Sequence, residues 1–145
     1  MSGDFQEEKR ARLKFSTLLP NGKLFERPCL NEVFCAEENV SSTSMFRVRV
    51  DGEPKGKFKS SGMIVCTGTG STGWTKFSQR ISPAHFGLLK KAIGKPTNPE
   101  PEIEEEELQM FSQKLSKKNV FPASEDKLFW MIRESYSADP SHFDW

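Results

Sequence analysis

Two short stretches of this chain carry residue types suited to holding a polar ligand. The first is the loop Thr67-Gly68-Thr69-Gly70-Ser71-Thr72-Gly73, which follows the apolar run Met63 to Cys66 and has no side chain larger than Thr until Trp74. Glycine lets another group approach the backbone closely, so such a loop can present N–H groups and small hydroxyls to a phosphate or a sugar. The same composition also suits a tight polar turn between two core elements. The second stretch is the pair Asn31-Glu32, which interrupts the mostly apolar run from Cys29 to Ala36. Polar side chains in that setting must reach solvent or find partners, because an unpaired buried polar group costs about 1–3 kcal/mol. A surface turn or a helix N-cap would satisfy them. So would a ribose, because Glu accepts hydrogen bonds while Asn both donates and accepts.

The elements around these stretches are legible from pattern. Arg12 to Leu18 alternates polar and apolar residues, which predicts a half-buried strand. Pro20-Asn21-Gly22 is a turn, and Lys23-Leu24-Phe25 returns as the second arm of a hairpin. Residues 37–44 read as a polar loop. Met45 to Val50 alternates again, with Phe46, Val48 and Val50 on one face and Arg47 and Arg49 on the solvated one, and Asp51-Gly52 is a hairpin turn. Met63 to Cys66 reads as a buried strand, and residues 53–59 lead into it.

After the loop the period becomes helical. Trp74, Phe77 and Ile81 recur on one stripe. Ser82-Pro83 restarts a helix whose face is Phe86, Leu89 and Ile93 and whose end is Gly94. His85, beside that face, reads as a surface or packing residue. Lys95 to Pro101 is a proline-rich linker, and Glu102 to Lys118 is a second long helix with acids at its start and lysines at its end, matching the helix dipole. Its acids read as a solvated N-terminus rather than a metal cluster. Leu128 to Ile132 is a final buried strand, followed by a polar tail.

Whole-chain properties narrow the function classes. The 145 residues make one domain at most, or part of one, with 35% apolar residues, 12 Phe and 3 Trp to fill a core. A formal net charge of +1 gives no electrostatic case for nucleic acid or an anionic membrane. No apolar run is long enough to span a bilayer. Three cysteines without Cys-x-x-Cys spacing argue against a disulfide framework or a zinc site and for small buried hydrophobes in a reducing compartment. Residues near the N-terminus read as neither a secretory signal nor a transit peptide.

Taken in order, Leu30-Asn31-Glu32-Val33, Val50-Asp51-Gly52, the stretch from Lys59 through Ser60-Ser61-Gly62 to Trp74, and Ile132-Arg133-Glu134 resemble the NAD kinases, particularly the divergent mitochondrial type of animals. The resemblance runs from about residue 28 to residue 134. It implies an α+β fold: a β-rich, incomplete C-terminal β-sandwich-like domain with a helical insertion at about 74–118, so that 1–145 is a partial NAD-binding domain without the upstream α/β domain. It implies ATP-dependent phosphorylation of the ribose 2′-hydroxyl of NAD to give NADP. By the same resemblance Asn31 and Glu32 contact NAD, Thr69, Gly70, Ser71, Thr72, Gly73 and Trp74 line its pocket, and Trp74 supplies an apolar wall. Lys59 and Ser61 stand where common bacterial members have an Arg and an Asp that also touch NAD.

The family's upstream Gly-Gly-Asp-Gly segment and its late Asp-Gly-Gly region are absent from these residues. The expectation is therefore a partial chain with no catalytic residue, ATP site or Mg²⁺ site of its own, inactive alone and prone to associate. It would be a fragment, a short isoform or an incomplete gene model. The alternative is a non-catalytic NAD-binding or assembly module. It would pair with a full-length homologue or with its own copies, and neither nucleic acid nor a membrane would be a partner. The resemblance places it in mitochondria.

Overall fold

The computed structural model describes residues 6–39, 41–93 and 105–136, which form seven strands and three α-helices. The first hairpin joins β1 (Leu13–Leu18) to β2 (Leu24–Cys29) in unbroken antiparallel register, from Leu13 opposite Cys29 to Leu18 opposite Leu24. Its turn is closed by Gly22 N–H donating to the Leu19 carbonyl at 2.9 Å and by Asn21 Oδ1 accepting from Lys23 N–H at 3.0 Å. Leu13, at the root, is buried, whereas Leu18 and Leu24 at the tip are exposed.

A second hairpin pairs β4 (Ser44–Val50) with β5 (Glu53–Ser60). Both turn residues have positive φ, 53° at Asp51 and 84° at Gly52, which is the primed turn that matches strand twist. The alternation predicted for β4 is observed: Val48 is buried and Met45, Arg47 and Arg49 face outward. Residues 53–59 prove to be a full strand. Pro54 and Gly56 hid it from the pattern, and the register shifts beside them, between Val48 and Arg49.

The central sheet has the order β3-β6-β7, all antiparallel: β3 (Glu32–Cys35), β6 (Gly62–Cys66) and β7 (Phe129–Arg133). The run Cys29 to Ala36 is thus split, with Asn31 in a bend and Glu32 opening β3, so the polar pair marks a turn and not a helix cap. On β6 every second residue, Gly62, Ile64 and Cys66, is buried on one face. β7 is half-buried throughout and starts at Phe129, leaving Leu128 exposed outside it. Within the second hairpin Phe46 packs tilted on Phe58, and an edge contact from Phe58 to Trp130, at 6.3 Å between ring centroids, joins the hairpin to this sheet.

Helix α1 (Trp74–Ser78) is shorter than the stripe Trp74, Phe77 and Ile81 implied. It ends before Ile81, and Phe77 is 63% exposed, so that stripe is not a core face. Helix α2 (Pro83–Ile93) starts where Ser82-Pro83 predicted, with Ser82 Oγ accepting from His85 N–H at 3.2 Å. His85 itself is exposed, and its Nδ1 lies 3.0 Å from the same hydroxyl. Leu89 remains half exposed. Helix α3 (Glu105–Lys117) packs on α2, carries Lys114 and Lys117 in its last turn, and ties back through Ser112 Oγ donating to the Ile81 carbonyl at 2.6 Å. Gly94, the linker 95–101, Glu102, Glu104 and the tail from residue 137 lie outside the described residues. The fold is α+β, with three small sheets among the described residues.

Gly62 explains how the buried face closes. Its φ is 141°, and a Cβ there would stand 2.6 Å from Phe34 Cζ and 2.8 Å from the Cys35 carbonyl oxygen. Gly62→Ala is expected to destabilise the chain by about 2 kcal/mol or more, through backbone strain and displacement of Phe34. Urea denaturation of the two proteins checks this; equal midpoints would contradict it.

Candidate functional site

The loop after β6 is built around Thr67, which is fully buried. Its N–H donates to the Asn31 carbonyl at 2.9 Å, and its hydroxyl donates to the Leu30 carbonyl at 2.5 Å, with the Asn31 carbonyl 3.2 Å away. The same Oγ accepts from Gly70 N–H at 3.3 Å, and the Thr67 carbonyl accepts from Ser71 N–H at 2.9 Å. One short side chain therefore binds the loop to the bend that carries Asn31. Gly70 completes the contact: a Cβ there would collide with the Asn31 backbone and stand 2.8 Å from Glu32 Oε2. The glycine is required by that close approach.

Ser71 is 1% exposed and works inward. Its hydroxyl donates to the Gly68 carbonyl at 2.7 Å and accepts from Phe121 N–H at 3.2 Å. Gly68 lies so close to Pro122 and Ala123 that a Cβ would overlap them. The outer rim of the loop is Thr69, Thr72 and Gly73. Thr72 Oγ1 donates to the Thr69 carbonyl at 3.1 Å, while Thr69 Oγ1 accepts from Arg10 Nη1 at 3.5 Å.

Asn31 is exposed and Glu32 half-buried, and neither side chain hydrogen-bonds to another group among the described residues. Both keep their hydrogen-bonding capacity, fixed beside the loop. Trp74, 40% exposed, turns onto Phe34 with ring centroids 5.1 Å apart. The Arg133 guanidinium sits 5.5 Å from the Trp74 centroid and 5.7 Å from that of Phe34. Such cation–π contacts hold the indole against the sheet.

Lys59 and Ser61 lie elsewhere. Ser61 precedes β6 and Thr67 follows it, about 20 Å apart at roughly 3.3 Å per residue. Ser61 N–H donates to the Arg133 carbonyl at 3.2 Å, and Lys59 Nζ is 6.0 Å from the Tyr136 ring. Ser61 lines an open cleft of about 450 Å³ with Ser60, residues 41–43 and residues 134–136. The predicted residues thus lie along β6: Asn31 and Glu32 with the loop at its Thr67 end, Lys59 and Ser61 at its Gly62 end, and Trp74 reaching between them against Phe34 and Arg133, the latter paired with Gly62. Sequence reasoning missed the clamping role of Thr67, which stood inside the loop it singled out. It also missed Phe34, Arg133 and Arg10, for which spacing carries no signal.

Below the loop, burial pushes the Cys66 thiol up; the Thr75 hydroxyl opposes this, the Glu32 carboxylate adds to it, and the Phe129 backbone opposes it. Burial likewise raises the Cys35 thiol. Among the described residues no group of three or more His, Cys, Asp or Glu is placed to hold a metal ion, and no helix is long and apolar enough to cross a membrane.

No family model matches the chain. Curated proteins do. NAD kinase 2, mitochondrial, of Rattus norvegicus is 30% identical over 105 residues, 72% of this chain and 25% of the relative. The protein of the same description from Homo sapiens is 30% identical over 105 residues, 72% of this chain and 24% of the relative. The chain belongs to the NAD kinase family. Bacterial NAD kinases match too, that of Paraburkholderia phymatum at 32% over 91 residues, covering 61% of this chain and 30% of the relative. The chain spans about a quarter of the length of the mitochondrial NAD kinases it matches.

Two outcomes test the site's construction. Thr67→Val keeps the shape but leaves the Leu30 carbonyl and Gly70 N–H without this partner, so stability should fall by about 1–3 kcal/mol; an unchanged thermal midpoint would contradict the clamp. The raised Cys35 and Cys66 thiols favour the protonated form in the folded state. Their contribution is intact below the unfolded value near 9.0 and is lost as pH rises through the folded values. Stability should therefore decline above pH 9, and more steeply than in a Cys35→Ala/Cys66→Ala variant measured over the same range.

Proposed function

We propose that this chain carries an NAD-binding surface of an NAD kinase. The observation that carries the reading is the Asn31-Glu32 pair, held against Gly70 by the Thr67 clamp with both side chains unspent. Glu32 accepts a hydrogen bond from a ribose hydroxyl, and Asn31 donates to or accepts from the nucleoside beside it. Thr69, Gly70, Thr72 and Gly73 line the approach, and Ser71 holds the loop's shape from beneath. Trp74 is the apolar wall. Lys59 and Ser61, at the far end of β6, contact a more distant part of the ligand or a second subunit.

In the complete enzyme the ribose 2′-oxygen attacks the terminal phosphorus of ATP, ADP leaves, and the hydroxyl proton passes to a base. Phosphoryl transfer of this kind rests on positioning and on neutralising phosphate charge. Among the described residues no cluster of three or more His, Cys, Asp or Glu is placed to hold a metal ion, and no step of that transfer is assigned to them. The working site is mitochondrial, and the chain binds NAD without turning it over unless a full-length relative or another copy completes the pocket.

The test is calorimetric titration with NAD beside an assay for NADP formation with ATP and Mg²⁺. NAD binding without NADP is the expected result, with Glu32→Gln weakening binding by about tenfold. NADP formation by the chain alone would overturn the partial-pocket reading, and a folded chain that ignores NAD would overturn the binding reading.

A further inference from the structure

The segment ahead of β1 lies across the rim of the loop. Ala11 N–H donates to the Ala123 carbonyl at 2.7 Å, and Leu13 is buried two residues later, so the backbone here is anchored at both points. From that segment Arg10 reaches Thr69 Oγ1 with Nη1 at 3.5 Å. Its Nη2 pairs with Glu8 Oε2 at 2.6 Å. A guanidinium has five N–H donors, so these two contacts leave others unused.

Charge makes this placement informative. The loop's own hydroxyls at Thr67, Ser71 and Thr72 are spent on the protein, and the carboxylate beside them is Glu32. A dinucleotide brings a doubly negative pyrophosphate, which the Glu32 carboxylate disfavours and a cation at the rim offsets; the Arg133 guanidinium is stacked over Trp74 and Phe34 instead. The geometry points to Arg10 as the residue that binds that pyrophosphate at the loop, an inference that rests on the reading of the loop as an NAD surface. The Arg fork matches two phosphate oxygens. Its present pair with Glu8 is open to solvent, with both side chains substantially exposed, and exposed pairs of this kind hold weakly. Exchange of the Glu8 carboxylate for phosphate therefore costs little, and Glu8 competes with the ligand.

The inference is tested by calorimetry on the full chain and its variants, with NAD and with adenosine, which has no phosphate. Arg10→Ala should raise the Kd for NAD about tenfold or more and flatten its dependence on salt. It should shift adenosine binding by no more than about twofold. Glu8→Gln should tighten NAD by about two- to threefold. Arg10→Ala that leaves NAD binding unchanged, weakens adenosine equally, or tightens NAD because the segment covers the loop would overturn the assignment. Failure of the unaltered chain to bind NAD would instead bring down the dinucleotide reading on which it stands.

Discussion

A hydroxyl with no access to solvent fixes the geometry on which everything at this site depends. Thr67 joins the end of β6 to the bend before β3, and it also meets the amide of Gly70. β3 and β6 are already paired, so this added link closes a small rigid ring of backbone around the strand ends. Asn31 and Glu32 sit on that ring. Their side chains need no partners of their own to stay in place, because the backbone beneath them is held. That is the physical basis for a site whose polar groups remain available: the scaffold is satisfied by one set of hydrogen bonds, and the outward groups are free for another.

The arrangement also divides labour within the loop in a way that residue types conceal. Thr67, Ser71, Thr69 and Thr72 look alike in sequence. The first two are buried and bind the chain to itself, while the others stand at the rim. Periodicity cannot separate them, since the loop has no period. The separation follows from which residues meet the bend before β3, Phe121 and Pro122, and those contacts join residues far apart in the chain.

Much of the fold was legible for physical reasons. Leu13–Leu18 and Ser44–Val50 alternate because one face of each meets other side chains, and Asp51-Gly52 declares its turn through backbone angles that few other residues adopt. The strand Glu53–Ser60 was hidden by Pro54 and Gly56, which an edge strand tolerates. The stripe after the loop misled because Trp74 and Phe77 are apolar at helical spacing, yet Trp74 packs on Phe34 and Phe77 faces water. At the site, the Asn-Glu pair and the glycine-rich loop were both visible, and so was the family. The separation of Lys59 and Ser61 from the Asn-Glu pair was not, because it depends on β6 running between Ser61 and Thr67. Arg10 stands outside every pattern, in a segment without regular structure.

The link between Ser71 and Phe121 has a consequence for how the helical excursion can vary. That excursion leaves the body of the protein just after the loop and returns at Phe121, and the two points are hydrogen-bonded to each other. It is therefore pinched shut at its neck. Residues added to or removed from α2, α3 or the segment joining them change the size of a closed loop whose ends stay fixed, and the entropy of such a loop grows only slowly with length. The helices can drift in sequence and extent over evolutionary time while the surface at the neck keeps its shape.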